Sequence, residues 1–168
     1  MGSYCMKIEP TNAATLSAII ENDIDAIRRL NSQLEQINLG AGEVNFRDLA
    51  AVAYILHNIY NALENSFEHL SREFENNVKD VSQWHKELLM KMFLEIPGIR
   101  PALFPSTCRM ILNELRGFRH VFRHSYDFDL DPQRLTFLVD RWNREGDAVL
   151  NALRHFSGLL LDQAKCKN

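Results

Sequence analysis

Apolar residues recur every three or four positions through most of this chain of 168 residues. This spacing places them along one side of an α-helix, so the pattern predicts amphipathic helices that share a core. We expect the first helix to begin at Thr11 or Asn12 and to end before Gly40, where Gly40 and Gly42 break the pattern. Its repeating residues are Leu16, Ile20, Ile24, Ile27, Leu30, Leu34 and Ile37.

The second helix is predicted over residues 45–75. Its apolar spacings alternate between three and four, which is typical of long helices packed nearly antiparallel. The repeating residues are Leu49, Val52, Leu56, Ile59, Leu63, Phe67, Leu70 and Phe74. The opposite side is acidic, and we expect it to be solvated. Its carboxylates belong to Glu64, Glu68, Glu73 and Glu75.

A short third helix is predicted over residues 82–96. Its expected core residues are Trp84, Leu88, Met92 and Leu94. Three prolines then fall between positions 97 and 105, which excludes a regular helix there. Ser106 is the predicted N-cap of a fourth helix that ends near His124.

The last helix is predicted to start at Asp131 as N-cap, with Pro132 in the first helical position, and to end near Ala164. Gly146 interrupts its pattern without necessarily ending the helix. The expected core residues are Leu135, Leu138, Trp142, Val149, Leu153, Phe156 and Leu160. The chain is therefore predicted to be one all-α domain over residues 1–168, with a core over about 11–164 and an up-and-down bundle of four long helices plus one short helix.

Composition narrows the class of protein further. Gly and Pro together number only 12, too few for the frequent turns of an all-β domain. The three cysteines are widely spaced and form no metal-binding pair, so neither a disulfide framework nor a zinc ribbon is indicated. No signal-like segment opens the chain, and no apolar run approaches the roughly 20 residues that cross a bilayer. We therefore expect a cytoplasmic protein without a membrane partner.

Residues 116–124, here called the basic segment, carry three arginines and two histidines but no acid. The net charge of the whole chain is −3, which excludes a protein that coats polyanions by bulk charge. On a helix, all five basic side chains fall on one arc of roughly 140°. They are Arg119, Arg123, Arg116, His120 and His124. Such a face repels itself unless an anion or an acidic partner binds to it.

Two other interpretations of the basic segment have to be weighed. Most charge clusters are ordinary solvated surface. Such surfaces usually mix signs, however, and this segment uses Arg and His rather than Lys. His120 and His124 are four residues apart, a spacing that suits two metal ligands on one helix. Three flanking arginines repel a cation, however, and no third ligand is evident. No metal site is predicted.

The stretch Arg119-His-Val-Phe-Arg-His124-Ser-Tyr126 forms an Arg-x4-His-x-Tyr motif. It resembles the signature of HEPN-domain ribonucleases, and specifically the HepT-like toxins of HEPN/minimal nucleotidyltransferase toxin–antitoxin modules. Residues 56–64 and 84–89 also resemble the second and third helices of that family. The resemblance extends over roughly residues 13–161.

The resemblance implies a HEPN four-helix bundle that forms a homodimer and cleaves cellular RNA without a metal or other cofactor. Arg119 and His124 match the catalytic pair of the family, and His120 matches its polar position after the Arg. Tyr126 matches the tyrosine that the partner, a minimal nucleotidyltransferase antitoxin, modifies with AMP. Arg116 and Arg123 lie outside this motif, and only the helical-face argument makes them candidates for binding RNA phosphates.

The residue types fit this chemistry. Histidine exchanges a proton near neutral pH, so His124 suits proton transfer, while Arg119 is a permanently charged donor for the developing phosphate charge. Two alternatives stay open. One is a HEPN module that binds nucleotides or RNA without cleaving them. The other is a helical interaction protein whose basic segment docks an acidic partner.

Overall fold

Five α-helices make up most of the computed structural model, which describes residues 6–40, 44–75, 84–124 and 129–165. They are α1 (Pro10–Leu34), α2 (Phe46–Glu75), α3 (Trp84–Lys91), α4 (Arg109–His124) and α5 (Pro132–Lys165). A 3-10 turn, Ser106–Cys108, leads into α4. No strand occurs in these ranges. The predicted all-α fold with four long helices and one short helix is confirmed.

Helix α1 packs against both α2 and α5, and α4 packs against α2 and α5 as well. The apolar stripes meet in one core, in which all seven residues predicted for α5 are buried. The residues of the stripe predicted for the first helix are buried, except for Leu30 and Ile37, which are partly buried and pack against the core. None of the described helices has both the length and the apolar character needed to cross a membrane.

The start of α5 agrees with the sequence-based prediction. Asp131 accepts a hydrogen bond from the backbone N–H of Gln133 through Oδ1 at 2.9 Å, and Pro132 is the first helical residue. Asn45 caps α2 in the same way, since its Oδ1 accepts the N–H of Asp48 at 2.9 Å. Gly146 lies within α5 and does not end it.

Helix α1 differs from the prediction at both ends. It begins at Pro10, one or two residues early, because proline suits the first turn of a helix. It ends at Leu34 rather than just before Gly40, and the cap residue Glu35 keeps a right-handed conformation. Tight turns follow the helix, so that Ile37 and Leu39 still pack against the core.

Helix α3 is shorter than predicted. It ends at Lys91, and its predicted start at residue 82 lies outside the described residues. Residues 92–105 fold back on α3, as the N–H groups of Leu103 and Phe104 both bond to the carbonyl of Met92. This leaves Leu94 55% exposed, so its predicted place in the core was wrong, and Leu89 is buried instead.

The predicted break between the prolines at 97 and 105 is confirmed, because that segment contains no helix. Ser106 is not the N-cap that the sequence suggested. It is the first residue of the 3-10 turn, whose cap position is occupied by Pro105 without a side-chain hydrogen bond.

Candidate functional site

The basic segment forms the C-terminal half of α4, which continues through His124. The helical arc predicted that its five basic side chains form one continuous face. The structure does not confirm this. His120, Arg123 and His124 are exposed and Arg116 is half-buried, whereas Arg119 is only 8% exposed. Helix α2 packs against α4 and covers the edge where Arg119 lies. The position of a residue on α4 alone does not reveal this cover.

Arg119 is held by two residues of α2. Its Nε donates to Asn61 Oδ1 at 2.7 Å, and its Nη2 lies 2.7 Å from Glu64 Oε2. Nη1 has no hydrogen-bond partner within the described ranges. Asn61 and Glu64 are three residues apart, so they project from the same side of α2 and fix the guanidinium plane at two points.

Glu64 is not the solvated carboxylate that the sequence predicted. It is 4% exposed, and its second oxygen, Oε1, lies 2.6 Å from Nδ1 of His85. One buried carboxylate therefore joins Arg119 of α4 to His85 of α3. Burial of a carboxylate is costly unless it is paired and hydrogen-bonded, and both oxygens of Glu64 have such a partner.

Glu75 was also predicted to be solvated, but its side chain is only 8% exposed. Its carboxylate pairs with Lys91 and with Arg100, whose side chain is fully buried. Burial acts to raise the pKa of Glu75, but its bonds to Arg100 and Lys91 outweigh burial and hold the pKa below its ordinary value. This cluster ties the segment after α3 to the end of α2.

Buried Tyr60 and half-buried His57, both of α2, lie beside the basic segment. Burial, together with the negative charge of Glu64, raises the pKa of Tyr60, so this phenol stays protonated. Burial and the charges of Arg119 and Arg123 lower the pKa of His57, whose ring contacts Phe122 at 5.1 Å between centroids. His57 therefore takes up a proton less readily than an ordinary histidine.

The exposed end of the basic segment consists of His120, Arg123 and His124. The rings of His120 and His124 are in contact, with their centroids 4.8 Å apart. Among the residues that the structure describes, no three His, Cys, Asp or Glu side chains converge as a metal site. Tyr126, the predicted modification site, lies outside the described residues.

Sequence reasoning missed Asn61, Glu64 and His85. A signal for Glu64 exists in hindsight, because it directly follows a core residue, Leu63, and precedes the core residue Phe67 by one helical turn. That position is at the edge of the apolar stripe, where a neighbouring helix covers it. Nothing in the spacing of His85 points to Glu64, which is 21 residues away in the chain.

A family model described as "HepT-like protein" matches residues 51–160, about two thirds of the chain. The match includes most of α2, all of α3 and α4, and most of α5, and thus every residue of the site described above. Comparison with curated proteins and with solved structures found no match. The family match covers more than half of the chain, and the protein belongs to the HepT-like family.

Proposed function

We propose that this protein is the ribonuclease toxin of a toxin–antitoxin module and cleaves RNA without a metal ion. Membership of the HepT-like family supports a toxin–antitoxin context. The observation that carries the catalytic part of the proposal is the fixed guanidinium of Arg119. Asn61 and Glu64 hold it, and Nη1 has no partner within the described ranges.

A guanidinium held in this way suits the stabilisation of a pentavalent phosphate. A donor that is already oriented costs no reorganisation when charge develops, and removal of such a donor typically lowers kcat by about 10²–10³-fold. About a tenth of the Arg119 side chain reaches the surface, so RNA has to approach with its phosphate in line with that opening.

His124 is the proposed proton-transfer residue, because it is exposed at the end of α4 and imidazole exchanges protons near neutral pH. Arg116, His120 and Arg123 are proposed to bind flanking phosphates. A homodimer would bring a second copy of the same groups to the RNA, as the resemblance of the motif to HEPN ribonucleases implies.

The proposed regulator is a minimal nucleotidyltransferase antitoxin that transfers AMP to Tyr126. Transfer of AMP from ATP, with release of pyrophosphate, would leave an adenylyl group two residues after His124, and its negatively charged phosphodiester would compete with RNA phosphate for the basic segment. Mass spectrometry of the protein after co-expression with that enzyme tests this point. An unmodified Tyr126 in an inhibited protein would contradict it.

One observation favours a second function, a HEPN module that binds RNA without cleavage. Glu64 neutralises the charge of Arg119, and a buried ion pair of this kind also serves simply to join two helices. In that case His124 would contribute no proton transfer, and only the exposed cations would hold RNA.

The deciding experiment is RNA cleavage by the purified protein in the presence of EDTA. We expect 2′,3′-cyclic phosphate ends, loss of cleavage in His124→Ala and Arg119→Ala, and unchanged cleavage in the control His155→Ala, which alters an exposed histidine of α5. RNA binding should persist in His124→Ala. Cleavage that stops on addition of EDTA would refute the metal-free mechanism, and binding without cleavage by the wild-type protein would favour the second function.

A further inference from the structure

We infer that His85 is a second proton-transfer residue of the same site and acts as the general base, while His124 acts as the acid. The inference rests on the proposed ribonuclease function. It starts from the 2.6 Å contact between His85 Nδ1 and Glu64 Oε1, in which a buried carboxylate orients an imidazole.

The contact determines which ring nitrogen of His85 exchanges protons. The Glu64 carboxylate is ionised opposite Arg119, so it only accepts hydrogen bonds and Nδ1 of His85 must carry the hydrogen. The remaining nitrogen, Nε2, therefore exists with a free lone pair in the neutral ring. A carboxylate that holds the tautomer and supports the imidazolium formed later is the arrangement that activates histidine bases.

The exposure of His85 agrees with this assignment. Its side chain is 37% exposed, whereas Glu64 is 5% exposed. Nδ1 is bonded to the buried carboxylate, so Nε2, on the other side of the ring, is the nitrogen that Glu64 does not engage. Nε2 can therefore exchange a proton while Nδ1 stays bonded to Glu64.

His85 is also close to the proposed phosphate-binding group. The hydrogen bond of His85 and the ion pair of Arg119 share one carboxylate, which limits the separation of His85 Nδ1 and Arg119 Nη2 to about 8 Å. Within the described ranges, Glu64 of α2 is the charged group in direct contact with His85, and Arg119 of α4 pairs with the other oxygen of that carboxylate. His85 and the proposed phosphate-binding group therefore belong to one cluster of side chains within a single protomer.

RNA cleavage needs one group that removes a proton and one that donates a proton, and the two histidines supply them. Nε2 of neutral His85 removes the proton of the 2′-hydroxyl as O2′ attacks phosphorus. The P–O5′ bond breaks, and protonated His124 gives its proton to O5′. The products are a 2′,3′-cyclic phosphate and a 5′-hydroxyl end, while His85 is left protonated and His124 neutral until solvent restores both.

The substitution His85→Asn separates proton transfer from positioning. Its amide nitrogen takes the place of Nδ1 and keeps the hydrogen bond to Glu64, but it offers no nitrogen in the place of Nε2. We expect kcat to fall by about 10²–10⁴-fold with little change in KM, and the acid limb of the pH–rate profile to disappear. His155→Asn is the matched control on the exposed surface of α5 and should leave both unchanged.

A second measurement distinguishes loss of the base from a folding defect in His85→Asn. In His85→Gly, added imidazole should raise the cleavage rate in proportion to its concentration. The role of His85 would be refuted if His85→Asn kept the wild-type kcat and the acid limb, or if imidazole did not raise the rate of His85→Gly. Either result would leave RNA cleavage by the wild type, and thus the proposed function, intact. A wild-type protein that cleaves no RNA would instead refute the proposed function, and the inference with it.

Discussion

The guanidinium Nη2 of Arg119 lies 2.7 Å from Oε2 of Glu64, and the two side chains are only 10% and 5% exposed. This ion pair connects α4 to α2 in the interior of the bundle. Burial of both charges is costly, so loss of either partner leaves the other charge buried without compensation and destabilises the fold. The motif arginine is thus part of the packing as well as of the candidate site.

Glu64→Ala should lower the free energy of unfolding by about 3–5 kcal/mol, because it leaves the buried Arg119 without its counter-charge. Urea denaturation measures the loss. Glu68→Ala is the control on the same helix, since Glu68 pairs with Arg72 at the surface and the change should cost at most about 1 kcal/mol. Equal effects of the two substitutions would contradict the buried pair.

Gly146→Ala should destabilise the protein by about 1–3 kcal/mol. A Cβ at this position would lie 2.8 Å from the ring of Trp142, whose Nε1 is held by a hydrogen bond to Asn31 and cannot easily yield. Gly158→Ala in the same helix meets no atom within 4 Å and should stabilise the protein by about 0.5–1 kcal/mol. Thermal denaturation should therefore move in opposite directions for the two variants.

The lowered pKa of Glu75 predicts an acid-dependent loss of stability. The folded protein binds this proton less readily than the unfolded chain, so the contribution is complete above the ordinary pKa of 4.5 and is lost as pH falls below it towards the lower folded value. Unfolding free energies measured across this range should fall less steeply for Glu75→Gln than for the wild type. Glu87→Gln, an exposed site on α3, should leave the slope unchanged.

The pKa of His57 should rise in Arg123→Gln. Burial lowers this pKa first, and the positive charges of Arg119 and Arg123 lower it further, so removal of one charge makes protonation easier. NMR titration of the imidazole measures the change. Arg134→Gln, on the exposed start of α5, should have no effect, and a fall of the pKa in Arg123→Gln would show that the ring lies elsewhere.

RNA binding should depend only modestly on salt. Because Glu64 neutralises the charge of Arg119, the salt-dependent phosphate contacts come mainly from Arg116 and Arg123, and the slope of log K against log salt should be about −1.4 for single strands. Arg123→Gln should reduce its magnitude by about 0.7, whereas Arg154→Gln on α5 should not. A steep slope would mean that RNA contacts many more phosphates than this face provides.

The helices themselves could be predicted well, since their apolar periodicity is a local property. The cap at Asp131 and every core residue predicted for α5 agree with the structure. The end of α3 could not be predicted, because the buried Arg100 bonds to the carbonyls of Lys91 and Leu94 across a turn. That contact exposes Leu94 although its spacing fits a core position.

The candidate site likewise has features that the sequence predicts and features that only the tertiary structure reveals. The Arg-x4-His-x-Tyr pattern and the amphipathic course of α4 could be recognised from the sequence alone, because both depend on residues close together in the chain. The tertiary structure decided that Arg119 is buried, that Asn61 and Glu64 hold it, and that His85 shares the carboxylate. A charged residue on an isolated helix favours solvent, and only packing of a neighbouring helix with a matching acid reverses that preference.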